Sequence, residues 1–332
     1  MTRWPAASPT RRRFLAIAAA AAGLPFAALR AGAESVHLHR WSGIALGAAA
    51  EILLHDPDAA RARRLIERCV AEIDRLENVF SLYRPESAIS RLNRDGRLTA
   101  PLLELVDLLA AARSFSERTE GAFDVTVQPL WRLYAAHFAQ PSTDPRGPSE
   151  AAHARARALV DWRAVDIEPA EVRFARPGMA ITLNGIAQGY ITDRVATLLQ
   201  DAGMGDVLLD IGEVRALGRH PEGRPWHVGL RHAAAPDAVA RTVTLADRAV
   251  ATSAGIASPF DGSGRHHHLF DPATGRPAPG AGQVSVIAPR ATLADAVSTA
   301  LAVSPPERAT AYAARFPGIE VLTDGPQSTV KR

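Results

Sequence analysis

The sequence predicts an α+β fold, on three observations. Strand-like and helix-like segments are mixed without the strict alternation of a doubly wound sheet. One amphipathic stretch, about Asp58 to Phe80, is a long helix with Leu65, Ile66, Cys69, Ile73, Leu76 and Val79 on its apolar face. No internal repeat is present, so a solenoid or propeller is excluded.

Taken in order, Ile44 to His55 reads as a strand with a small-residue interior, Leu46-Gly47-Ala48-Ala49-Ala50. The long helix follows, then a polar loop, Ser81 to Ser87. Pro101 suits the first position of a second helix running to about Thr119, and Glu120-Gly121 ends it. Ala122 to Val127 reads as a short strand, and Pro141 to Pro148 as a polar linker. Beyond it come a helix over 150–160 and short strands at Val165–Ile167, Val172–Phe174 and Ile181–Leu183. A helix from Ala187 to Ala202 leads to strand Val207–Ile211 and further short strands through Val250. Leu269–Phe270 and Val284–Ala288 read as strands, 291–302 and 306–315 as helices, and Ile319–Leu322 as a closing strand.

The 332 residues are enough for one large domain or two ordinary ones. A composition 47% hydrophobic and 22% charged argues for a packed core rather than disorder. Thr10-Arg11-Arg12-Arg13-Phe14-Leu15 precedes an apolar, Ala-rich run from Ala16 to Leu29 and the small triplet Ala31-Gly32-Ala33. That order is a signal peptide over 1–33 with the look of twin-arginine export, which places residues 34–332 in the periplasm. Its removal takes away Arg3, Arg11, Arg12, Arg13 and Arg30 and no acid, moving the formal charge from +3 to −2. A basic nucleic-acid binder is thereby excluded. No uninterrupted apolar run reaches the roughly 18 residues of a membrane span, so stable membrane insertion is not expected. The lone Cys69 excludes an internal disulfide and a cysteine zinc site.

Two segments carry chemistry. Gly264 to Gly275 contains His266-His267-His268 followed by a tight turn, Asp271-Pro272-Ala273-Thr274-Gly275. Consecutive side chains of an extended segment point to opposite faces, so three adjacent histidines do not converge on one ion. One of them facing a cleft is enough for a general base, with an ordinary imidazole pKa of ~6.5. Asp271 either fixes the turn or orients a histidine. The second segment, Ala294 to Thr299, sets Asp295, Ser298 and Thr299 on one helical face. Such residues either complement the helix dipole and sit on a solvated face or, as hard oxygen donors with open coordination positions, suit Mg²⁺ and phosphate chemistry.

Leu183-Asn184-Gly185-Ile186-Ala187-Gln188-Gly189-Tyr190 joins a strand to a helix, where the glycines either serve the turn's own geometry or let the backbone approach an anion at the helix N-terminus. It is neither a dinucleotide fingerprint nor a P-loop. Tyr83 in its polar loop either packs at the helix end with its hydroxyl in water or stacks on a planar ring. Asp124 either binds a ligand hydroxyl or caps its local turn. Ala251-Thr252-Ser253-Ala254-Gly255 lacks the nucleophile elbow of a serine hydrolase.

In this order the segments resemble the ApbE family of FAD:protein FMN transferases. The matching pieces begin with Phe80-Ser-Leu-Tyr-Arg-Pro-Glu-Ser, Gly121-Ala-Phe-Asp-Val-Thr-Val-Gln-Pro-Leu and Asn184-Gly-Ile-Ala-Gln-Gly-Tyr-Ile-Thr-Asp-Arg-Val. They continue with Asp210-Ile-Gly-Glu, Ala251-Thr-Ser-Ala-Gly, His268-Leu-Phe-Asp-Pro-Ala-Thr-Gly and Ala294-Asp-Ala-Val-Ser-Thr-Ala-Leu. The Leu183–Tyr190 version, with twin-arginine export, is similar to the NosX-type branch.

The resemblance implies a T-fold-like architecture of two intimately packed lobes. It implies FAD as substrate and Mg²⁺ as cofactor, transfer of FMN to a Thr or Ser of an acceptor flavoprotein with an FMN-binding domain, and release of AMP. For the NosX-type branch that acceptor would be NosR-like. By position, Leu46, Tyr83, Ala122, Phe123, Asp124, Thr182 and Gln188 would line the FAD site. Gly185, through its carbonyl, with Asp295, Ser298 and Thr299 would hold the metal, and His268 would be the catalytic base. The chain departs from the family pattern at several places. Leu46-Gly47-Ala48 replaces Met-Gly-Thr, Thr182 replaces a common aspartate, Gln188 a lysine or acid, and Ser298 sometimes a second carboxylate. Two other activities fit the same residues, an FAD pyrophosphatase and a periplasmic FAD-binding protein without turnover.

Overall fold

The computed structural model describes residues 15–16, 37–232, 235–279, 282–323 and 329–331. The signal peptide lies outside the described residues except for Leu15–Ala16 (β1). No helix among the described residues is long and apolar enough to cross a membrane.

The chain is α+β. Strands β2 (Leu38–Ala45) and β3 (Ala48–His55) form an antiparallel hairpin where the sequence predicts one strand from Ile44. The chain reverses at Leu46-Gly47, whose φ angles of +48° and +75° make a tight two-residue turn. Leucine is uncommon in that region. Here its N–H donates to the Glu77 carboxylate, a contact from a distant helix that no local pattern announces.

That helix, α1 (Ala59–Phe80), is capped by Asp58, which accepts from the N–H groups of Ala60 and Arg61 at 2.8 and 3.1 Å. Its face of Leu65, Cys69, Ile73 and Leu76 is buried, each large apolar side chain contributing about 1.5–3 kcal/mol. Burial pushes the Cys69 thiol up to about 12, leaving it inert.

A second lobe follows: α2 (Ala88–Asp95), β4 (Arg97–Thr99), α3 (Leu103–Arg118), α4 (Gln128–Phe138), α5 (Glu150–Arg157), β5 (Val165–Ile167) and β6 (Glu171–Phe174). Its small sheet has the order β4-β6-β5. Pro101 precedes α3 by two residues rather than opening it. Helices α2 and α4 were not expected from the sequence. Ser87 caps α2 and Gly96, at φ +74°, stops it.

Three predicted strands are absent among the described residues. Ala122 to Val127 forms a single 3-10 turn, Val125–Val127, because Asp124 accepts from both the N–H and the hydroxyl of Thr126 and competes with extended pairing. Ile181–Leu183 bonds elsewhere. Ile181 exchanges hydrogen bonds with the Asn93 amide, and the Thr182 N–H donates to the Val125 carbonyl at 2.8 Å. Leu269–Phe270 makes only an isolated bridge, Phe270 to Pro277.

The remaining elements are α6 (Ala187–Asp201), β7 (Val207–Asp210), β8 (Val214–Leu217), β9 (Trp226–His232), β10 (Ala235–Leu245), β11 (Ala249–Ser253), β12 (Val284–Ala288), α7 (Ala291–Ala302), α8 (Pro306–Ala313), β13 (Glu320–Thr323) and β14 (Thr329–Lys331). The main sheet is antiparallel throughout, in the order β14-β13-β12-β11-β8-β7-β3-β2. One face packs on helices. The principal core joins Ile52, Leu54, Val207 and Leu209 of the sheet to Leu76, Ile191 and Val195, and runs on into the second lobe through Ile89, Leu92 and Leu108. The other face, with Leu53, Leu208 and Val214, is covered by Trp226, Val228, Leu230 and Val243 of the β9–β10 hairpin. β1 adds a short third strand to that hairpin, at Leu230 and Gly229. Alternation along β3 and β7 feeds both faces at once.

Candidate active site

A cleft of about 350 Å³ opens between the lobes. Of the residues expected to bind FAD, it is lined by Tyr83, Ala122, Phe123, Asp124, Thr182 and Gln188. Of those expected at the metal, it is lined by Gly185, Asp295 and Thr299, and His268 also reaches it. Leu46 sits at the hairpin tip, and Ala48, two residues on, lines the wall in its place. Ser298 is fully buried, its hydroxyl bonded to the Asp295 carbonyl at 3.0 Å and to Ser253 Oγ at 2.9 Å. Ser253 lines the cleft, and its Oγ is also 3.3 Å from Thr299 Oγ1.

The oxygen-bearing wall comes from close contact of α6 with α7. The Gly189 N–H donates to Asp295 Oδ2 at 3.1 Å. A Cβ on Gly189 would fall 2.4 Å from the Ala291 carbonyl oxygen, so only glycine permits this approach. A Cβ on Gly185 would likewise fall 2.8 Å from Thr299 Oγ1, which brings the Gly185 backbone beside that hydroxyl. Gln188 lies against Gly212, and Glu213 beside it lines the cleft with a buried carboxylate.

The three histidines take three different environments. His266 packs on Tyr134 and Phe138, with Nε2 3.1 Å from the Pro145 carbonyl oxygen. The Pro141–Pro148 segment joins α4 to α5 and supports the histidine loop. His267 is buried against Gly255, with Nε2 3.2 Å from the Ala278 carbonyl oxygen, and desolvation lowers its pKa. His268 is the one that faces the cleft.

The turn beyond it is held from both sides. Asp271 accepts from the Ala273 N–H and the Thr274 hydroxyl, each at 2.9 Å, so it fixes the turn. From α5, His153 Nε2 lies 3.0 Å from the Gly275 carbonyl oxygen, and Arg157 Nε donates to the Ala273 carbonyl at 3.0 Å. Neither α5 contact had a signal in the sequence, since both span more than a hundred residues.

Asp124 does cap its turn, and its second oxygen accepts from the Trp162 N–H at 3.2 Å. Burial raises its carboxyl to about 6 against these hydrogen bonds, which pull the other way. The lining therefore holds three carboxylates, Asp124, Glu213 and Asp295. Among the described residues no lysine or arginine lines the cleft. Nor does any group of three His, Cys, Asp or Glu among them converge as a ligand set for a metal. A cation here would rest on one carboxylate with hydroxyl and carbonyl oxygens, a donor set suited to Mg²⁺ carrying water and phosphate.

The ApbE family's sequence profile matches residues 46–323. The chain is 30% identical over 295 residues to the FAD:protein FMN transferase of Treponema pallidum (strain Nichols), covering 82% of this chain and 80% of that one. It is 30% identical over 289 residues to the protein of the same name from Vibrio cholerae serotype O1, covering 85% of each. Among solved structures, the ApbE protein of Thermotoga maritima superposes with a TM-score of 0.75 at 28% identity, over 89% of this chain and 96% of that one. The apo form of the Pseudomonas stutzeri flavinyl transferase ApbE gives 0.73 at 28% identity, over 88% and 92%. With the profile spanning the cleft from the hairpin tip to the end of β13, this chain belongs to the ApbE family.

Proposed function

We propose that this chain transfers FMN from FAD to a threonine or serine hydroxyl of an acceptor flavoprotein, with Mg²⁺ bound and AMP released. One observation carries the reading. An imidazole and a carboxylate–hydroxyl–carbonyl set share a cleft whose described lining has three carboxylates and no cationic side chain. A diphosphate entering such a cleft needs a counter-cation, and Gly185, Asp295 and Thr299 offer hard oxygens for it. The residues fit the ion, because the missing side chain of Gly185 leaves its backbone beside the Thr299 hydroxyl. Held by Gly185, Asp295 and Thr299, Mg²⁺ would neutralise diphosphate oxygens and so ease departure of AMP.

The chain's own groups do the rest. Tyr83, 58% exposed in the free protein, stacks on a planar ring of FAD. Phe123 and Ala122 complete an apolar wall, and Asp124 beside them holds the Val125–Val127 turn. The acceptor hydroxyl oxygen attacks the FMN phosphorus, and the phosphoanhydride bond to the AMP phosphate breaks. The hydroxyl proton passes to the His268 imidazole. Fixing that imidazole through the Asp271 turn supplies orientation. Ser298 acts through Ser253 and the Asp295 backbone, to which its hydroxyl is bonded.

The twin-arginine leader supports export to the periplasm as part of the same proposal. With the Leu183–Tyr190 motif it also supports the NosX-type branch and a NosR-like acceptor. The test mixes the protein with FAD, Mg²⁺ and an FMN-binding acceptor domain, then follows flavin fluorescence on the denatured acceptor together with AMP. Labelled acceptor with AMP is expected. AMP without labelled acceptor would make the chain a pyrophosphatase, and neither product would leave FAD binding alone.

A further inference from the structure

We infer that Asp193 is a positioning residue for the metal site, acting as a cap supplied by α6 to the helix that carries Asp295 and Thr299. The inference rests on the Mg²⁺ reading above. Helix α7 has no side-chain cap of its own: its N-cap residue is Arg290, which makes no capping hydrogen bond. A helix left in this state has unsatisfied N–H groups in its first turn. Asp193, on α6, answers them across the helix pair. Its Oδ1 accepts from the Ala291 N–H at 2.9 Å, and its Oδ2 from the Thr292 N–H at 3.0 Å and the Thr292 hydroxyl at 2.6 Å. Arg290 Nε donates at 3.3 Å, and Arg215 of β8 donates as well. The Asp193 side chain has no exposed surface.

Position makes this more than a structural bond. Asp295 and Thr299 follow Ala291 at intervals of four residues, so they stand one and two turns along the helix whose start Asp193 fixes. Gly185 and Gln188 precede Asp193 on the α6 side of the cleft. The register between α6 and α7 therefore sets how the Gly185 carbonyl, the Asp295 carboxylate and the Thr299 hydroxyl face one another. Two contacts measure that register: the Gly189 N–H on Asp295 and the Gly189 backbone against Ala291. Asp193 is the charged group that locks it, and α7's N-terminal dipole favours the negative charge placed there. Asparagine keeps the shape but has one acceptor oxygen where the carboxylate has two. It leaves donors on α7 unanswered and frees α7 to shift against α6.

The test is a Mg²⁺ titration read by thermal melting of the full protein with FAD present. Wild type, Asp193→Asn and Thr292→Val are compared, with flavin transfer as a second readout. Wild type is expected to melt at a higher temperature as Mg²⁺ rises. Asp193→Asn should melt cooperatively yet need about ten- to hundredfold more Mg²⁺ to reach half of that rise, the range found when partners of metal ligands are lost. Its transfer rate should recover toward wild type at saturating Mg²⁺. Thr292→Val removes one donor from the same carboxylate and should move the midpoint in the same direction by less. An Asp193→Asn midpoint equal to wild type would overturn the inference, even if its melting temperature fell, because the role would then be structural only. If Asp193→Asn fails to fold, an unmoved Thr292→Val midpoint overturns it instead. A wild type blind to Mg²⁺ would bring down the metal reading and this inference with it.

Discussion

The Gly189 N–H donates to Asp295 Oδ2 at 3.1 Å, so the glycine turn that opens α6 holds the carboxylate of α7. The contact exists because α6 and α7 touch backbone to backbone there. A methyl group at Gly189 would meet the Ala291 carbonyl oxygen at 2.4 Å, and backbone cannot swing aside as a flexible side chain would. Gly189→Ala should therefore destabilise the fold by about 1–3 kcal/mol, read by urea denaturation. It should also weaken Mg²⁺ dependence by displacing Asp295. Wild-type stability in that variant would show that the two helices have room to part.

Asp295→Ala and His268→Ala should fail in different ways. The first removes the only carboxylate of the proposed metal set and should abolish Mg²⁺-dependent labelling of an acceptor. The second should leave FAD affinity near wild type and slow transfer by about 10²–10⁴-fold, the usual contribution of a general base. FAD binding by fluorescence quenching and transfer by acceptor labelling separate the two. An unchanged transfer rate in His268→Ala would move the base elsewhere.

Asp124 should make stability depend on pH in the direction opposite to a salt-bridged aspartate. Its carboxyl titrates near 6 in the folded chain against an ordinary value of 3.8. Between those values the unfolded chain has already released the proton that the folded chain keeps, so stability falls as pH rises from about 4 to about 6 and then levels. Asp124→Asn should flatten that part of the profile, measured as denaturant midpoints from pH 4 to 7. An identical profile in the variant would assign the slope to other groups.

The turn after His268 should matter to rate more than to FAD binding. Arg157→Ala removes the donor to the Ala273 carbonyl, and His153→Ala removes the partner of the Gly275 carbonyl. Either change should lower kcat while leaving KM for FAD close to wild type, because it loosens the imidazole and spares the Tyr83 wall. Steady-state kinetics decide this. A rise in KM with unchanged kcat would mean that α5 supports substrate binding.

Much of this was legible in the sequence where the signal is local. The periodicity of α1 gave its extent to within a residue, and α7 brings to the cleft two of the three oxygen-bearing residues the spacing grouped, Asp295 and Thr299, while Ser298 bonds to Ser253. What failed was structure decided at a distance. The Leu46-Gly47 reversal is held by Glu77, and Ile181 is held by Asn93, each from another element. The Val125-Thr126-Val127 run has strand-forming residues, yet the Asp124 side chain bends it into a 3-10 turn. Among the histidines, the spacing alone leaves open which one faces a cleft, and only the family resemblance points to His268. That choice is made by Tyr134, Phe138 and Gly255, which draw His266 and His267 away. Asp193 lay inside a recognised motif, but its role depends on α7, which lies about a hundred residues further on.

The central claim is most directly tested by mass spectrometry of an acceptor domain after a single turnover with FAD and Mg²⁺, with AMP measured in the same quenched sample. One FMN esterified to a threonine or serine of one acceptor peptide is expected, with an equal amount of AMP, and neither product when His268 is alanine within the time wild type needs. AMP formed at the wild-type rate with the acceptor peptide unmodified would contradict it.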